Sequence, residues 1–127
     1  MTEQLSGAIV VAVYGTLKRG QSNHHFLHGQ QRLGQFLMKD ITLYDLGPYP
    51  AAKLEQSEGV EVEVYAVSEA VFGKLDWLED YDAQMPALGL YDRVRVQTPF
   101  GKAWVYIYNE DVAGCRVIRA GGWSPAN

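Results

Sequence analysis

A glutamate occupies a position where the helical pattern calls for an apolar side chain. The spacing of apolar residues predicts a helix over 69–80. Glu79 follows Leu75 by four positions and Phe72 by seven, so it projects from the apolar face of that helix. Burial and the C-terminal end of the helix dipole both disfavour an anion and would raise the pKa of this carboxyl. Such a group suits general acid/base chemistry; the alternative is a structural glutamate that reaches solvent or pairs with Arg93.

A glycine loop follows the first apolar run of the chain. Residues 8–14 are rich in Val and Ile, which predicts a strand buried on both faces. Free backbone amides at Gly15, Thr16 and Leu17, directly after this strand, would form an anion site or an oxyanion hole. Gly15 and Gly20 have the spacing of a P-loop, but Gln21 follows in place of the required Lys, and the Rossmann glycine pattern is absent, so nucleotide binding is not supported. The alternative is an ordinary tight turn.

The remaining chemistry-bearing residues form weaker patterns. His24 and His28 share one face of a predicted helical turn, but two ligands are too few for a metal site, and a surface or partly buried pair is expected. Cys115 lacks an evident orienting His or Asn and is interpreted as a small core residue. Two sets remain: an acidic run interpreted as a solvated face (Asp76, Asp80, Asp82) and tyrosines that line a pocket or pack the core (Tyr65, Tyr106, Tyr108).

Length and composition indicate one domain over residues 1–127. The net charge of -4 argues against a nucleic-acid partner, and the basic pair Lys18 and Arg19 is interpreted as a solvated loop. A single cysteine favours a reducing, cytoplasmic compartment. The sequence contains neither an apolar stretch of ~20 residues nor a signal-peptide pattern, so no membrane association is expected.

Strands predominate among the elements that must position these residues. A helix beginning after the N-cap Ser68 is the one clear helix, and 47–50 forms a turn or loop. Alternating or β-branched patterns predict strands in four further segments: 33–45, 60–67, 91–98 and 103–108. The strand over 60–67 is expected to be half-exposed. Together these elements predict a mixed sheet or barrel with one helix packed on it, whereas the tail, 114–127, has no clear pattern.

Several short motifs occur in a recognisable order over about residues 9–108. They are Val13-Tyr14-Gly15-Thr16-Leu17-Lys18, Tyr49-Pro50-Ala51, Glu63-Val64-Tyr65, Leu75-Asp76-x-Leu78-Glu79, Tyr91-x-Arg93 and Ala103-x-x-Tyr106. In these motifs the chain resembles the γ-glutamylcyclotransferase-like superfamily, which includes avirulence-induced-gene-2-like proteins and γ-glutamylamine cyclotransferases. The end of the chain is most similar to small bacterial members.

The resemblance implies an α+β fold, a compact mixed-strand β-barrel with a few short flanking helices. It implies an enzyme in which the α-amine of a γ-glutamyl amine or peptide attacks its own γ-carbonyl. The products are 5-oxoproline and a free amine. The reaction needs no metal and no cofactor, because the nucleophile belongs to the substrate.

The resemblance also implies roles for individual residues. Glu79 becomes the general base on the α-ammonium and then the acid for the leaving amine. The amides of Gly15, Thr16 and Leu17 hold the glutamyl group and face the developing oxyanion. Three tyrosines complete the implied substrate site: Tyr14, Tyr91 and Tyr106.

Three departures from the family pattern leave other functions open. Val62 and Asp80 stand where many members have glycine, and the segment 82–89 is long. A valine at 62 would narrow a cavity wall. The alternatives to an enzyme are a protein that binds a small amino-acid-like ligand without turnover and a structural protein with a vestigial pocket.

Overall fold

The computed structural model describes residues 9–125, which contain nine strands, one α-helix and two short 3-10 helices. The strands are β1 (Ile9–Val13), β2 (Gln31–Met38), β3 (Thr42–Asp45), β4 (Pro50–Lys53), β5 (Gly59–Val67), β6 (Tyr91–Thr98), β7 (Gly101–Tyr108), β8 (Arg116–Ile118) and β9 (Ala120–Gly121). The helix α1 spans Glu69–Leu78, and the 3-10 helices span His24–Leu27 and Pro86–Leu88.

The strands form two sheets, of which the larger is mixed and the smaller is antiparallel. The larger sheet has the order β2-β5-β1-β7-β6, with β9 added beside β5, and the smaller sheet has the order β4-β3-β8. The pairs β1–β7 and β5–β9 are parallel, and the other ladders are antiparallel. The α+β class is confirmed. Closure into a barrel is not: β3, β4 and β8 pair with one another, and no ladder within residues 9–125 joins β2 to β6.

Local patterns identified most elements but missed three strands, β4, β8 and β9. The predicted strands at β1, β5, β6 and β7 are confirmed, and the segment 33–45, for which one or two strands are expected, contains most of β2 and all of β3. The predicted turn or loop over 47–50 ends at Tyr49, because Pro50 is the first residue of β4. Proline is tolerated there, since the first residue of an edge strand need not donate a backbone hydrogen bond. The strand β5 is less exposed than predicted: Val60, Val62 and Val64 are buried on one face as the alternation predicts, but Tyr65 and Val67 on the opposite face are buried as well.

The helix α1 begins as predicted and ends earlier. The Ser68 hydroxyl caps it by accepting from the Val71 amide at 3.1 Å. The last helical residue is Leu78, so Glu79 is the C-cap, and its amide donates to the Leu75 carbonyl. Asp80 then adopts a left-handed φ of 55°, which turns the chain away from the helix axis.

The core has two parts, one on each face of the larger sheet. Val11 and Val13 of β1 pack with Leu75 of α1 in one part, whereas Ala12 joins the other, so β1 is buried on both faces as predicted. Among residues 9–125, no helix is long and apolar enough to cross a membrane.

The C-terminal segment packs against the part of the core that contains Ala12. Trp123 is buried and donates from Nε1 to the Asp45 carboxylate at 3.1 Å. Its carbonyl accepts from the Lys18 ammonium at 2.9 Å. Lys18 is therefore buried, and the interpretation of Lys18 and Arg19 as a solvated pair is wrong for Lys18, because the tail supplies an acceptor that no local pattern reveals.

Candidate active site

A pocket of about 390 Å³ opens at the C-terminal end of β1. Its lining comes from the glycine loop, the turn before β4, the end of α1, and the facing ends of β6 and β7. The pocket brings together every residue predicted for the site: Tyr14, Gly15, Thr16, Leu17, Glu79, Tyr91 and Tyr106. Val62 is not part of the lining but lies in the core, so the expectation that it narrows the cavity wall is wrong.

The glycine loop is held by its carbonyls and not by its amides. The Gly15 carbonyl accepts from the Lys18 amide at 3.0 Å, and the Thr16 carbonyl accepts from the Asn23 amide at 2.8 Å. The Asn23 side chain also donates to the Thr16 hydroxyl at 3.0 Å. Within residues 9–125, the amides of Gly15, Thr16 and Leu17 have no turn, loop or side-chain acceptor. They are thus available to an anionic group in the pocket.

Glycine at position 15 is explained by a close neighbour. A Cβ atom built on Gly15 would lie 2.7 Å from both Cγ and Cδ of Pro50, which is well inside normal contact. Pro50 begins β4, so this contact seats the loop against the smaller sheet. A residue with a side chain at 15 would push the loop away from Pro50.

Glu79 lies at the end of α1 as a half-buried carboxyl that lines the pocket. Among the described residues, it forms no ion pair, and its carboxyl oxygens accept no hydrogen bond. Burial raises its pKa from 4.5 to about 7, in the direction expected from its place on the apolar face. This carboxyl can both accept and donate a proton near neutral pH.

Arg93 does not pair with Glu79 and instead binds Asp76. Its Nε lies 3.0 Å from Asp76 Oδ1, and its Nη2 donates to Oδ2 at 3.2 Å. The guanidinium lies over three aromatic rings, at 4.3 Å from Phe72, 4.3 Å from Tyr81 and 4.5 Å from Trp104. The structural alternative for Glu79, an ion pair with Arg93, is therefore wrong.

Asp76 does not line the pocket but binds Tyr106, which does, and local patterns missed this role. Its side chain is 21% exposed, so its interpretation as part of a solvated face is wrong. Besides Arg93, it accepts from the Tyr106 hydroxyl at 2.6 Å. The available signal was its place three residues before Glu79, which puts both carboxyls near one helix face. The partner residues on β6 and β7 are distant in sequence, so the pairing itself leaves no local mark.

The three predicted tyrosines surround the end of β1. The Tyr14 hydroxyl donates to the Tyr106 carbonyl at 2.6 Å, and the Tyr91 hydroxyl donates to the Pro50 carbonyl at 3.0 Å. Burial raises the pKa of all three phenols, and the negative charge of Glu79 contributes to each rise. The three phenol groups therefore lie within electrostatic reach of that carboxyl.

The histidines and the cysteine lie apart from this arrangement. The 3-10 helix ends at Leu27, so His28 lies beyond it, and the Nδ1 atom of His24 is 3.0 Å from the Leu17 carbonyl oxygen. Cys115 is half-buried and not a core residue. Within residues 9–125, no three His, Cys, Asp or Glu side chains are grouped closely enough to hold a metal ion.

Comparison with known proteins gives one consistent family. Residues 11–125 match the family model described as gamma-glutamyl cyclotransferase, AIG2-like. A candidate gamma-glutamylcyclotransferase of Vibrio cholerae is 44% identical over 115 residues, which cover 90% of this chain and 94% of that protein. Gamma-L-glutamyl-butirosin B gamma-glutamyl cyclotransferase of Niallia circulans is 34% identical over 120 residues, covering 87% and 75%.

The fold comparison agrees with the sequence comparison. The solution NMR structure of ytfP from Escherichia coli superposes with a TM-score of 0.69 at 35% identity, covering 91% of this chain and 96% of that one. The matched residues 11–125 include the glycine loop, the end of α1 and the strands that line the pocket. The chain therefore belongs to the gamma-glutamyl cyclotransferase, AIG2-like family, and the prediction of an enzyme of that family is confirmed.

Proposed function

We propose that this protein is a γ-glutamyl cyclotransferase that converts a γ-glutamyl amine or peptide into 5-oxoproline and a free amine, with Glu79 as general acid/base. One observation carries the proposal: a carboxyl with a pKa of about 7 lines the same pocket as three backbone amides that lack intramolecular acceptors. The Niallia circulans relative is named for a γ-glutamyl substrate of this kind.

The proton count of the reaction suits one carboxyl of this pKa. The substrate's α-ammonium must lose two protons on its way to the lactam nitrogen, and the leaving nitrogen must gain two to depart as an ammonium. Glu79 accepts one proton from the α-ammonium, the free amine attacks the γ-carbonyl carbon, and the protonated Glu79 gives that proton to the leaving nitrogen. Glu79 then accepts the second proton from the α-nitrogen of the tetrahedral intermediate, the old carbon–nitrogen bond breaks, and Glu79 passes this proton to the departing amine. Because both transfers involve one group, its pKa must allow both directions.

The glycine loop supplies charge stabilisation in this scheme. Attack at the γ-carbon moves negative charge onto the carbonyl oxygen. The amides of Gly15, Thr16 and Leu17 are fixed by the backbone, so they need no reorganisation to face that charge. The loop passes so close to Pro50 that there is no room for a side chain at position 15.

The proposal is tested by measuring 5-oxoproline. The protein is incubated with γ-glutamyl-lysine, γ-glutamyl-alanine and glutathione, and we expect 5-oxoproline from at least one of them. Absence of 5-oxoproline with a series of γ-glutamyl amines and peptides would favour the alternative, a protein that binds such ligands without turnover.

The role of Glu79 is tested separately by Glu79→Gln. The amide keeps the volume but cannot exchange a proton, so turnover should fall by about 10²–10⁴-fold. Glu58→Gln removes an exposed carboxylate outside the pocket and serves as the matched control. Turnover in Glu79→Gln equal to that of the wild type would contradict the assignment of Glu79.

A further inference from the structure

Three of the four tyrosines that line the pocket each donate their single hydroxyl proton to a fixed acceptor, and Tyr49 is the fourth. Tyr14 donates to the Tyr106 carbonyl at 2.6 Å, Tyr91 to the Pro50 carbonyl at 3.0 Å, and Tyr106 to Asp76 Oδ1 at 2.6 Å. Two of the acceptors are backbone carbonyls, which cannot rotate away. The hydroxyl orientations are therefore set by the protein before any ligand enters.

A phenol whose proton is committed can only accept further hydrogen bonds. Its oxygen carries one proton and two lone pairs, so only lone pairs are left for the pocket. Tyr14, Tyr91 and Tyr106 line the pocket together with Glu79, whose carboxylate is likewise acceptor-only when ionised. The side of the pocket around Glu79 is thus rich in acceptors, whereas the glycine loop is rich in donors.

The orientation of Tyr106 differs from the others because it depends on a side chain. Asp76 is a rotatable carboxylate, and Arg93 fixes it through two contacts, at 3.0 and 3.2 Å. Arg93 is in turn held over the rings of Phe72 and Trp104. Without this chain of contacts, the Tyr106 hydroxyl would be free to turn its proton toward the pocket.

We propose that Tyr14, Tyr91 and Tyr106 form, with Glu79, an acceptor-only niche that selects the α-ammonium of the glutamyl group, and that Asp76 and Arg93 are positioning residues that fix Tyr106 for this task. This inference rests on the proposed function, because it names how that pocket binds one end of its substrate. The niche holds the α-nitrogen next to the carboxyl that deprotonates it.

The niche is tested by ligands that differ only in the α-ammonium. L-glutamate and glutarate have the same carbon chain and the same two carboxylates, and only glutamate carries the amine. Dissociation constants for both are measured by titration calorimetry at pH 7.5. We expect the wild type to bind L-glutamate at least about tenfold more tightly, since hydrogen bonds to a charged group are among the stronger ones.

Tyr106→Phe removes one acceptor and leaves the ring. This variant should lose about tenfold in affinity for L-glutamate and keep its affinity for glutarate. Tyr65→Phe is the matched control: it removes a buried-ring hydroxyl bonded to Glu63 at 2.9 Å, but Tyr65 does not line the pocket. The control should leave both affinities unchanged.

Asp76→Ala tests the positioning role. Freed from Asp76, the Tyr106 hydroxyl can point its proton at the ammonium, so selectivity for L-glutamate over glutarate should fall as in Tyr106→Phe. The double variant should fall no further than Tyr106→Phe alone. If Asp76→Ala does not fold, Arg93→Gln replaces it: this variant frees the Asp76 carboxylate from both contacts with Arg93, so it should lower the same selectivity.

The outcomes separate this inference from the proposed function. Wild type that binds L-glutamate and glutarate equally, or a Tyr106→Phe variant that loses affinity for both to the same extent, would overturn the niche and leave the pocket assignment standing. Wild type that binds neither ligand would overturn the niche, whereas the proposed function is overturned only by the absence of 5-oxoproline formation. Selective loss of L-glutamate affinity in Tyr106→Phe, with Tyr65→Phe unaffected, supports the niche.

Discussion

Replacing Glu79 by glutamine should stabilise the protein in a manner that depends on pH. A half-buried carboxylate without a cation or a hydrogen-bond donor is costly, and glutamine removes that charge while keeping the volume. The effect is a property of the folded state, so it is expected whether or not the protein turns over a substrate.

The sign and size of this difference in stability follow from the raised pKa of Glu79. Folding raises the pKa of Glu79 from 4.5 to about 7, so between these values the folded state holds more protons than the unfolded state. The free energy of unfolding of the wild type therefore loses a contribution as pH rises from about 4.5 to 7, and the loss is complete above pH 8. At about 1.4 kcal/mol per tenfold change in acidity, the upper bound is about 3 kcal/mol.

The measured gain should be smaller than this bound. Glu79 lines a pocket that is open to solvent, and water screens the charge. We expect Glu79→Gln to exceed the wild type by about 1–3 kcal/mol in free energy of unfolding at pH 8, and by nearly nothing at pH 4.5. Other titrating groups change both proteins alike, so the difference between them isolates Glu79.

Urea denaturation of both proteins at pH 4.5, 6, 7 and 8 provides the measurement. Glu58→Gln, which alters an exposed carboxylate, should show no such pH-dependent gain. A Glu79→Gln variant that is less stable than the wild type at pH 8, or whose difference does not vary with pH, would refute the argument that Glu79 is an uncompensated carboxyl. In that case, its proposed function as an acid/base near neutral pH would lose its physical basis.

Two glycine-related predictions concern the residues around the pocket. Gly15→Ala should cost about 1–3 kcal/mol and weaken ligand binding, because the new Cβ would lie 2.7 Å from the Pro50 ring; equal thermal stability to wild type would contradict this. Asp80→Gly should change the free energy of unfolding by less than about 1 kcal/mol, since relief at φ 55° offsets the loss of the 3.3 Å bond from the Leu90 amide to the Asp80 carboxylate. A larger loss in thermal denaturation would show that the Asp80 side chain, and not its backbone, is required.

Glu79 could be placed from sequence because helical periodicity is a local property. Its offsets from Leu75 and Phe72 determine which face it occupies, and the end of α1 differs from the prediction by only two residues. The backbone of Asp80 is left-handed, a conformation that glycine adopts freely and that Asp tolerates, which fits the glycine that the resemblance leads us to expect at this position.

The partners of Asp76 and Lys18 could not be predicted, since both lie far along the chain. Asp76 binds Arg93 on β6, and Lys18 binds the carbonyl of Trp123, 105 residues away. An acidic residue on a helix and a lysine in a loop are usually solvated, so local patterns favoured the wrong environment in both cases. The pairing order of the sheets is equally non-local, which explains why closure into a barrel was expected from the resemblance and is not confirmed.

The two carboxyls at the end of α1 have opposite environments, and that contrast is central to the site. The guanidinium of Arg93 lies over the rings of Phe72 in α1 and Trp104 in β7, and it pairs with Asp76. If Arg93 paired with Glu79 instead, the nearby cation would lower the pKa of Glu79, and the carboxyl would hold too few protons at neutral pH to act as an acid. The aromatic rings around Arg93 thus do more than stabilise a cation: by directing it to Asp76, they leave Glu79 with the raised pKa that the proposed chemistry requires.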